Sequence, residues 1–298
     1  MKLKQLAEHC QQSKQRDNMR YIPLPIDTAK EVFEASISKV KNPALRARLK
    51  AVLPEVIAAS AEFAIKASTT RLHTIDTEES VGSVLRQEME VVYTSRMAKV
   101  GQPGRPFYDR LMSIPKNGCC PLCGRGRVTT LDHHLPNEKY PALVVAPLNL
   151  VPSCMDCNKV KHAGKPSCAE HETLHPYFDS VDYKVWLAAR VIASSPTAIE
   201  FCVINNTGNG WPLMNQRIEK HFETFALNEV YASLAGEELA NIRLEVMMVH
   251  GAAGTDGVIQ HLLEKERTYR GNHRNTWQAA MYKALAENLT YCSGDFNI

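Results

Sequence analysis

The sequence predicts an α+β fold, mainly α, in which a short β-β-α module is embedded in a mostly helical protein. On both sides of residues 115–165, apolar residues recur at the three- and four-residue spacing of amphipathic helices. Inside that segment the periodicity fails, while proline, glycine, cysteine and histidine become frequent. Two Cys-x-x-Cys pairs lie within it. A stretch of this kind is too short to bury a core of its own, so we expect another organising centre there.

Three amphipathic stretches before the module predict helices, at residues 27–66, 78–98 and 107–114. Asp27 and Thr28 are N-cap candidates for the first stretch, because their side chains can accept hydrogen bonds from the first turn. Pro43 is expected to begin a second helix of that stretch, and Pro54 is expected to interrupt and kink it. The N-terminal region, residues 1–114, is therefore predicted to be helical.

The module, within residues 115–180, is predicted to contain two short strands and one helix, at Val128–Asp132, Leu143–Val145 and Met155–His162. Residues 181–298 return to ordinary composition and form the third predicted region. One strand and three helices are expected there, at Ile199–Asn205, Trp211–Leu227, 235–250 and 255–290. The last helix is expected to break at Gly271. The aromatic stripe that begins at Trp211 is expected to face the core.

The composition is that of an ordinary globular protein. Of 298 residues, 44% are hydrophobic and 22% are charged, and the formal net charge is only +3. This mild positive charge permits nucleic-acid binding without demanding it, since phosphate contacts depend on local basic clusters. The N-terminus lacks the apolar segment of a signal peptide, and no stretch reaches the roughly 18 apolar residues of a membrane span. We therefore expect a cytoplasmic protein with reduced thiols and no membrane partner.

Nine cysteines are present, and four of them form matched pairs. Cys120 with Cys123, and Cys154 with Cys157, each place two sulfurs three positions apart, so that one tight turn can direct both at one ion. Two such pairs complete the tetrahedral site of a structural zinc ion, which we predict here. Cys119 adjoins the first pair and is an alternative ligand. The unmatched cysteines are expected to be small buried apolar residues, at Cys10, Cys168, Cys202 and Cys292.

A second set of polar residues lies between and just after these cysteine pairs. In chain order it consists of Asp132-His133, Pro136, Asn149, Asn158 and Lys161. In this order and spacing the sequence resembles the HNH endonucleases, also called ββα-metal or His-Me finger nucleases. The segments Leu131–Pro136 and His175–Asp179 also look like those of one group of bacterial HNH proteins. The resemblance covers the module alone, and neither flank is recognised.

The resemblance implies a role for each residue of this set. His133 is the general base that activates water, a task for which the ordinary histidine pKa near neutrality is suited. Asp132, on the opposite face of the strand, and Asn158, at the start of the closing helix, are ligands of a catalytic divalent cation. His162 lies four positions later on that helix face and is a further ligand. Asn149 holds the His133 ring through its second nitrogen. Hard oxygen ligands with one imidazole favour Mg²⁺, with Mn²⁺ as the alternative.

Basic residues around the module are candidate nucleic-acid contacts, namely Lys161, Lys159, Arg125 and Arg127. His134 faces away from His133 on the strand and is expected to pack or to contact substrate. Two distant basic runs, Lys39–Lys50 and Arg267–Arg274, are either solvated faces or further nucleic-acid surfaces.

Taken together, the resemblance implies a zinc-stapled ββα-metal module that acts as a metal-dependent endonuclease. It would hydrolyse phosphodiester bonds in nucleic acid, with DNA favoured, while one divalent cation stabilises the leaving 3′ oxygen. One such site cuts one strand, so duplex cleavage implies a homodimer or two binding events. Three alternatives remain open: a non-catalytic zinc module that binds nucleic acid or protein, a nuclease toxin directed at RNA or at any nucleic acid, and an effector of phage defence controlled by a regulatory protein partner.

Overall fold

In a computed structural model of the chain, helices predominate and the strands form small antiparallel pairs. The structure describes residues 21–161, 164–194 and 196–296. The prediction of an α+β fold that is mainly α is confirmed. The chain divides into two units, each built from separate segments: 21–179 with 205–227, and 180–204 with 228–296. The predicted division at residues 114 and 180 stays a prediction.

The first unit begins with three helices, α1 at Ala29–Ile37, α2 at Pro43–Ala51 and α3 at Leu53–Ser68. Helix α1 starts at Thr28, whose hydroxyl accepts a hydrogen bond from Glu31 N at 3.2 Å, while Glu31 Oε2 accepts one from Thr28 N at 2.8 Å. This reciprocal pair is a capping box, so the predicted N-cap at Thr28 is confirmed. The interruption expected at Pro54 is confirmed, because α2 ends at Ala51 and α3 begins at Leu53. Pro54 lies in the first turn of α3, where its missing N–H breaks no helical hydrogen bond.

The predicted helix over residues 78–98 is shorter than expected, because its first residues form a hairpin. The hairpin strands are β1 at Ser80–Val81 and β2 at Val84–Leu85. Gly82 makes the turn with a φ of +50°, and a Cβ there would lie 3.0 Å from the Val52 side chain. The following helical elements are α4 at Arg86–Val91, a π-helical turn at Val92–Met97 and α5 at Arg105–Met112.

One hydrophobic core joins these helices to the module. Its buried side chains come from α1, α2, the π-helical turn and the module, among them Val32, Phe33, Leu49, Met97, Leu131, Val144 and Leu150. The module therefore does not stand alone on its cysteines. Distant helices supply the apolar contacts that its own short sequence lacks.

The module contains an antiparallel strand pair followed by a helix, β3 at Thr130–His133, β4 at Leu150–Ser153 and α6 at Met155–Val160. Asp132 lies opposite Val151 in the strand register, and His133 lies opposite Leu150. Helix α6 packs against β3. The predicted β-β-α order is present, and the connection from β4 into α6 takes a single residue, Cys154.

The expected strand at Leu143–Val145 is wrong. Short 3₁₀ turns at Pro141–Leu143 and Pro147–Asn149 flank these residues, and the stretch between the turns is fully buried. Its apolar character reflects packing on all sides. Val144 fills the core shared with the helices, whereas Leu143 packs in a second cluster with residues of α3. Burial alone does not distinguish such a segment from a strand, which explains the error.

Helix α7 (Trp211–Thr224) completes the first unit. The predicted apolar stripe faces the core, since Trp211, Ile218 and Phe222 are buried. Arg217 and His221 on the same helix are each only 2% exposed, which the apolar pattern did not indicate. Buried polar side chains need hydrogen-bond partners, and residues 122–179 supply them.

The second unit combines a β-hairpin with long helices. Its elements are β5 at Leu187–Ile192, β6 at Ala198–Val203, α8 at Leu227–Asn272, α9 at Trp277–Glu287 and α10 at Leu289–Cys292. The expected break at Gly271 is confirmed to within one residue, because α8 ends at Asn272 and α9 begins at Trp277. Helix α8 is itself interrupted at Gly254, where φ is 64° and ψ is −163°. Glu245 contacts both His261 (3.0 Å) and Lys265 (2.9 Å), so the chain folds back after Gly254. Within the described residues, every helix is too short or too polar to span a membrane.

Both distant basic runs take part in contacts within the protein. Arg48, in the run Lys39–Lys50, pairs with Glu88 at 2.5 Å. Arg270, in the run Arg267–Arg274, pairs with Glu266. Part of each run is therefore structural, and a role of either run in nucleic-acid binding stays a prediction.

Candidate functional site

The four paired cysteines meet at one point of the module. Their sulfur atoms all lie within 4.8 Å of one another, and each cysteine is buried. The Sγ atoms of Cys123 and Cys154 are 3.9 Å apart. Zinc–sulfur bonds of about 2.3 Å in a tetrahedron place sulfurs about 3.8 Å apart, so the observed cluster fits a zinc ion.

Hydrogen bonds within the two cysteine turns hold the four sulfurs close together. Gly126 N donates a hydrogen bond to Cys123 Sγ at 3.2 Å, and Cys120 N donates one to Gly126 O at 2.7 Å. A Cβ on Gly126 would lie 2.7 Å from the Cβ of Cys154, so glycine is required at this turn. Cys154 is the N-cap of α6, and its Sγ accepts a hydrogen bond from Cys157 N at 3.5 Å. Such N–H donors stabilise thiolates, which are the metal-binding form.

The remaining cysteines lie outside this cluster. Cys119 is half-buried and pairs through its backbone with Arg127, so the cluster takes Cys120 instead. Cys292 is buried as expected, but Cys202 is exposed and Cys168 is half-buried, so the expectation of burial is wrong for these two. Cys10 lies outside the described residues.

Asp132 and Lys161 form a nearly buried ion pair near the four-cysteine cluster. The Asp132 side chain is 8% exposed and that of Lys161 is 11% exposed, and Lys161 Nζ lies 2.5 Å from Asp132 Oδ2. Lys161 Nζ also donates a hydrogen bond to His133 O at 2.6 Å. Burial raises the pKa of Asp132, although the Lys161 ammonium opposes the shift. A buried carboxylate of this kind needs a cation beside it, and a divalent ion fits that need as well as an ammonium does.

The His133 side chain is fixed in a defined tautomer. Its Nε2 lies 2.9 Å from Val144 O, and a carbonyl oxygen only accepts, so Nε2 carries the proton. Nδ1 is then the basic nitrogen, and it makes no hydrogen bond with any residue that the structure describes. The Tyr93 ring packs edge-on against the imidazole, with centroids 4.5 Å apart. Burial lowers the pKa of His133 to about 4, so the ring is neutral near pH 7.

Asn149 does not hold the His133 ring, so that expectation is wrong. Its Oδ1 accepts a hydrogen bond from Leu135 N at 2.7 Å, and its Nδ2 donates to Leu135 O at 3.0 Å and to Leu143 O at 3.3 Å. Asn149 is 0% exposed. It therefore braces the loop between β3 and β4, and this loop carries the carbonyl of Val144 that fixes His133. The effect of Asn149 on the imidazole is indirect.

The other predicted site residues lie at the surface or beyond the described chain. Asn158 is half-buried on α6, and within the described residues its side chain makes no hydrogen bond. The basic candidates that are exposed are Lys159, Arg125 and Arg127. Helix α6 ends at Val160, and His162 lies outside the described residues.

The segment His175–Asp179 packs under the module and supports it. The His175 ring lies 4.2 Å from the His134 ring, and Tyr177 Oη donates a hydrogen bond to Leu150 O of β4 at 2.9 Å. His175 is 1% exposed and His134 is 8% exposed. His134 thus packs against the supporting segment with one face of its ring, which agrees with the packing role predicted for it.

Acidification is expected to destabilise the fold through His175. Burial lowers the pKa of His175 to about 3, whereas an unfolded histidine titrates near 6.5. Between these values the unfolded chain binds more protons. The free energy of unfolding should therefore fall as pH falls from about 6.5, by up to about 1.4 kcal/mol per pH unit for this group. Urea denaturation at pH 7, 6 and 5 measures it. The His175→Gln variant should lose less stability on acidification, and equal pH dependence in both proteins would contradict the assignment.

A buried ion pair, which sequence reasoning missed, ties α7 to the module's supporting segment. Arg217 donates to both carboxylate oxygens of Asp179 at 2.8 and 2.6 Å, and to the carbonyls of Glu172 and Thr173. His221, one turn later, lies 2.7 Å from Leu122 O inside the first cysteine turn. A lone arginine in an apolar helical stripe was the available signal, since such a residue needs a carboxylate partner.

Replacing Arg217 with methionine is expected to lower the free energy of unfolding by about 3–5 kcal/mol, because Asp179 would remain as an unpaired buried charge. Chemical denaturation measures this change. The matched control is Arg190→Met, since Arg190 and Glu200 form an exposed pair and such pairs contribute about 0–1 kcal/mol. The double variant Arg217→Met with Asp179→Leu should recover part of the loss. Equal effects of the two single arginine variants would contradict the prediction.

Comparison with known proteins finds a relative that aligns with most of this chain. The chain is similar to Protein ea31 of Escherichia phage lambda, with 27% identity over 297 residues, which covers 93% of this chain and 100% of that protein. No family model matches the chain, and no solved structure matches it. The similarity to the phage protein therefore includes the helical flanks, and the name of that protein describes no activity.

Proposed function

We propose that this chain is a metal-dependent endonuclease of the HNH type, which hydrolyses phosphodiester bonds in nucleic acid, with DNA as its substrate. The observation that carries the proposal is the state of His133. The imidazole is neutral near pH 7, its Nε2 proton is fixed on Val144 O, and its Nδ1 makes no hydrogen bond among the described residues. A general base needs an unprotonated nitrogen that water can reach, and Nδ1 is the candidate for it. The lowered pKa makes Nδ1 a weaker base than the near-neutral histidine that the sequence predicts.

The neighbouring residues suit the rest of the reaction. Asp132 and Asn158 offer hard oxygen ligands from a strand and from the helix packed against it, which fits Mg²⁺ or Mn²⁺. When bound, such a cation offsets the negative charge that develops on the phosphate and on the leaving 3′ oxygen. His133 Nδ1 takes the proton from the attacking water. Asn149 keeps the loop in place so that His133 stays fixed.

Lys161 has a different role in the site without a divalent ion and in the site with one. Its ammonium is now the counter-charge of Asp132. A divalent ion at Asp132 would take over that role, and Lys161 would become available to a substrate phosphate. This exchange accommodates both the observed ion pair and the predicted phosphate contact of Lys161.

A cleavage assay tests the proposal. Plasmid, linear duplex, single-stranded DNA and RNA are each incubated with wild-type protein and Mg²⁺, Mn²⁺ or EDTA. We expect cleavage of DNA with either metal and none with EDTA. Asp132→Asn should require more metal for half-maximal cleavage. Cleavage that persists in EDTA, or no cleavage of any substrate, would exclude the proposal.

One observation favours a second candidate, a zinc-binding module without catalytic activity. Asp132 already has a counter-charge in Lys161, and a purely structural ion pair would look the same. In that case the protein would bind zinc and cut nothing, and Asp132→Asn would destabilise the fold without changing any metal dependence. The same assay and a denaturation curve therefore separate the two candidates.

A further inference from the structure

A groove of about 510 Å³ opens beside the Asp132–Lys161 pair within the first unit. It lies between the end of β3, the loop over residues 164–173 and helix α7. The residues that determine its chemistry are His134, Lys161, Lys165, Ser167, His171 and Lys220. Lys161 lines the groove and also pairs with Asp132, so one side chain links the groove to the proposed metal ligand.

The groove carries an excess of positive charge. Lys165 and Lys220 form no ion pair with any residue that the structure describes. Of the two acidic residues in the lining, Glu172 is turned inward, where its carboxylate lies 2.6 Å from His73 Nδ1 and is 1% exposed. Glu223 is therefore the acidic group that faces the opening. Unpaired lysines beside a single carboxylate attract an anion.

His134 forms part of the groove wall, where its imidazole can contact a polar ligand. It is only 8% exposed, and its ring makes no hydrogen bond with any described residue. Neither ring nitrogen is fully buried, so the ring stays accessible to a ligand in the groove. A neutral imidazole can donate to a phosphate oxygen through its N–H. The loop over residues 164–173 contributes two more polar side chains to the groove, Ser167 and His171, with Ser167 Oγ 2.8 Å from His171 Nδ1.

We infer that this groove binds the phosphodiester backbone of the substrate strand next to the phosphate that is cut, with Lys165, Lys220 and His134 contacting its phosphate oxygens. The inference rests on the proposed function and adds a strand-binding path to it. No phenylalanine, tyrosine or tryptophan is among the residues that line the groove, so bases have no large ring on which to stack. Contacts to phosphates alone position a strand without reading its sequence.

The experiment measures binding separately from cleavage. A fluorescent 20-nucleotide DNA strand is titrated with protein without added Mg²⁺ or Mn²⁺, in the His133→Ala background, at several salt concentrations. Lys165→Ala and Lys220→Ala are tested singly and together. The matched control is Lys30→Ala, which removes the same charge from an exposed position on α1 of the same unit. Lys220→Arg keeps the charge and should bind as the parent does.

We expect the double variant to bind about tenfold more weakly near 0.1 M salt and to reduce the slope of log K against log salt by about 1.4, since each phosphate contact on a single strand contributes about 0.7. If the double variant matches Lys30→Ala in affinity and slope, the inference is wrong, and the nuclease proposal stands on its own cleavage assay. AMP is titrated against the same variants as a second probe. If AMP binding depends on both lysines while binding of the 20-nucleotide strand does not, the groove is a mononucleotide site, and the inference is also wrong.

Discussion

His133→Ala is expected to reduce the cleavage rate by about 10²–10⁴-fold, the usual contribution of a general base. The reason is local. His133 Nδ1 is the basic nitrogen of a ring held by Val144 O, and within the described chain no other histidine has its ring fixed on β3 in this way. The measurement is the initial rate on the best DNA substrate at saturating metal. Zinc content and thermal unfolding of the variant are recorded alongside.

Two measurements on His133→Ala distinguish loss of the general base from loss of the fold. The alanine variant removes one ring contact with Tyr93 and one hydrogen bond, so a modest loss of stability is expected. Imidazole added to the solution should restore part of the rate, because it can occupy the vacated position as a base. A variant that cuts as fast as the wild type would show that His133 is not the base. A variant that loses its zinc would show that the effect is structural.

Cys154→Ser is expected to abolish stoichiometric zinc binding and to unfold the module. Structural zinc sites contribute roughly 10 kcal/mol or more to folding in small modules, and three sulfurs hold the ion less well than four. Cys154 also caps α6, the helix that carries Asn158. Removing the metal should therefore displace a proposed catalytic ligand and eliminate cleavage, although no catalytic side chain has changed. Metal analysis of the purified protein and thermal unfolding measure the two effects.

Cys119→Ser provides the matched control, because Cys119 is a half-buried neighbour of the cluster whose sulfur is not part of it. We expect this variant to keep about one zinc ion per chain and full activity. Retention of zinc by Cys154→Ser would contradict the four-cysteine site. Loss of zinc from Cys119→Ser would instead show that Cys119 is a ligand.

The sequence alone predicted the cysteine cluster, and the reason is that the relevant information is local. Two sulfurs three positions apart can meet one ion through a single tight turn, whatever the rest of the chain does. The N-cap at Thr28 was predictable for the same reason, since its partner Glu31 lies three residues away. The placement of Asp132 and His133 on a strand also followed from neighbouring residues.

Tertiary structure decided the features that depend on distant residues. Leu143–Val145 and Leu150–Ser153 are both apolar, and only pairing with β3 determines which of them is the strand. The amide of Asn149 could have met the His133 ring, but closure of the loop aims it at Leu135. Helix α7 brings Arg217 and Lys220 to the module from beyond residue 200, so neither the buried ion pair with Asp179 nor the basic groove could be read from spacing. Short-range geometry determined the metal-binding motif, whereas packing of separate segments determined what surrounds it.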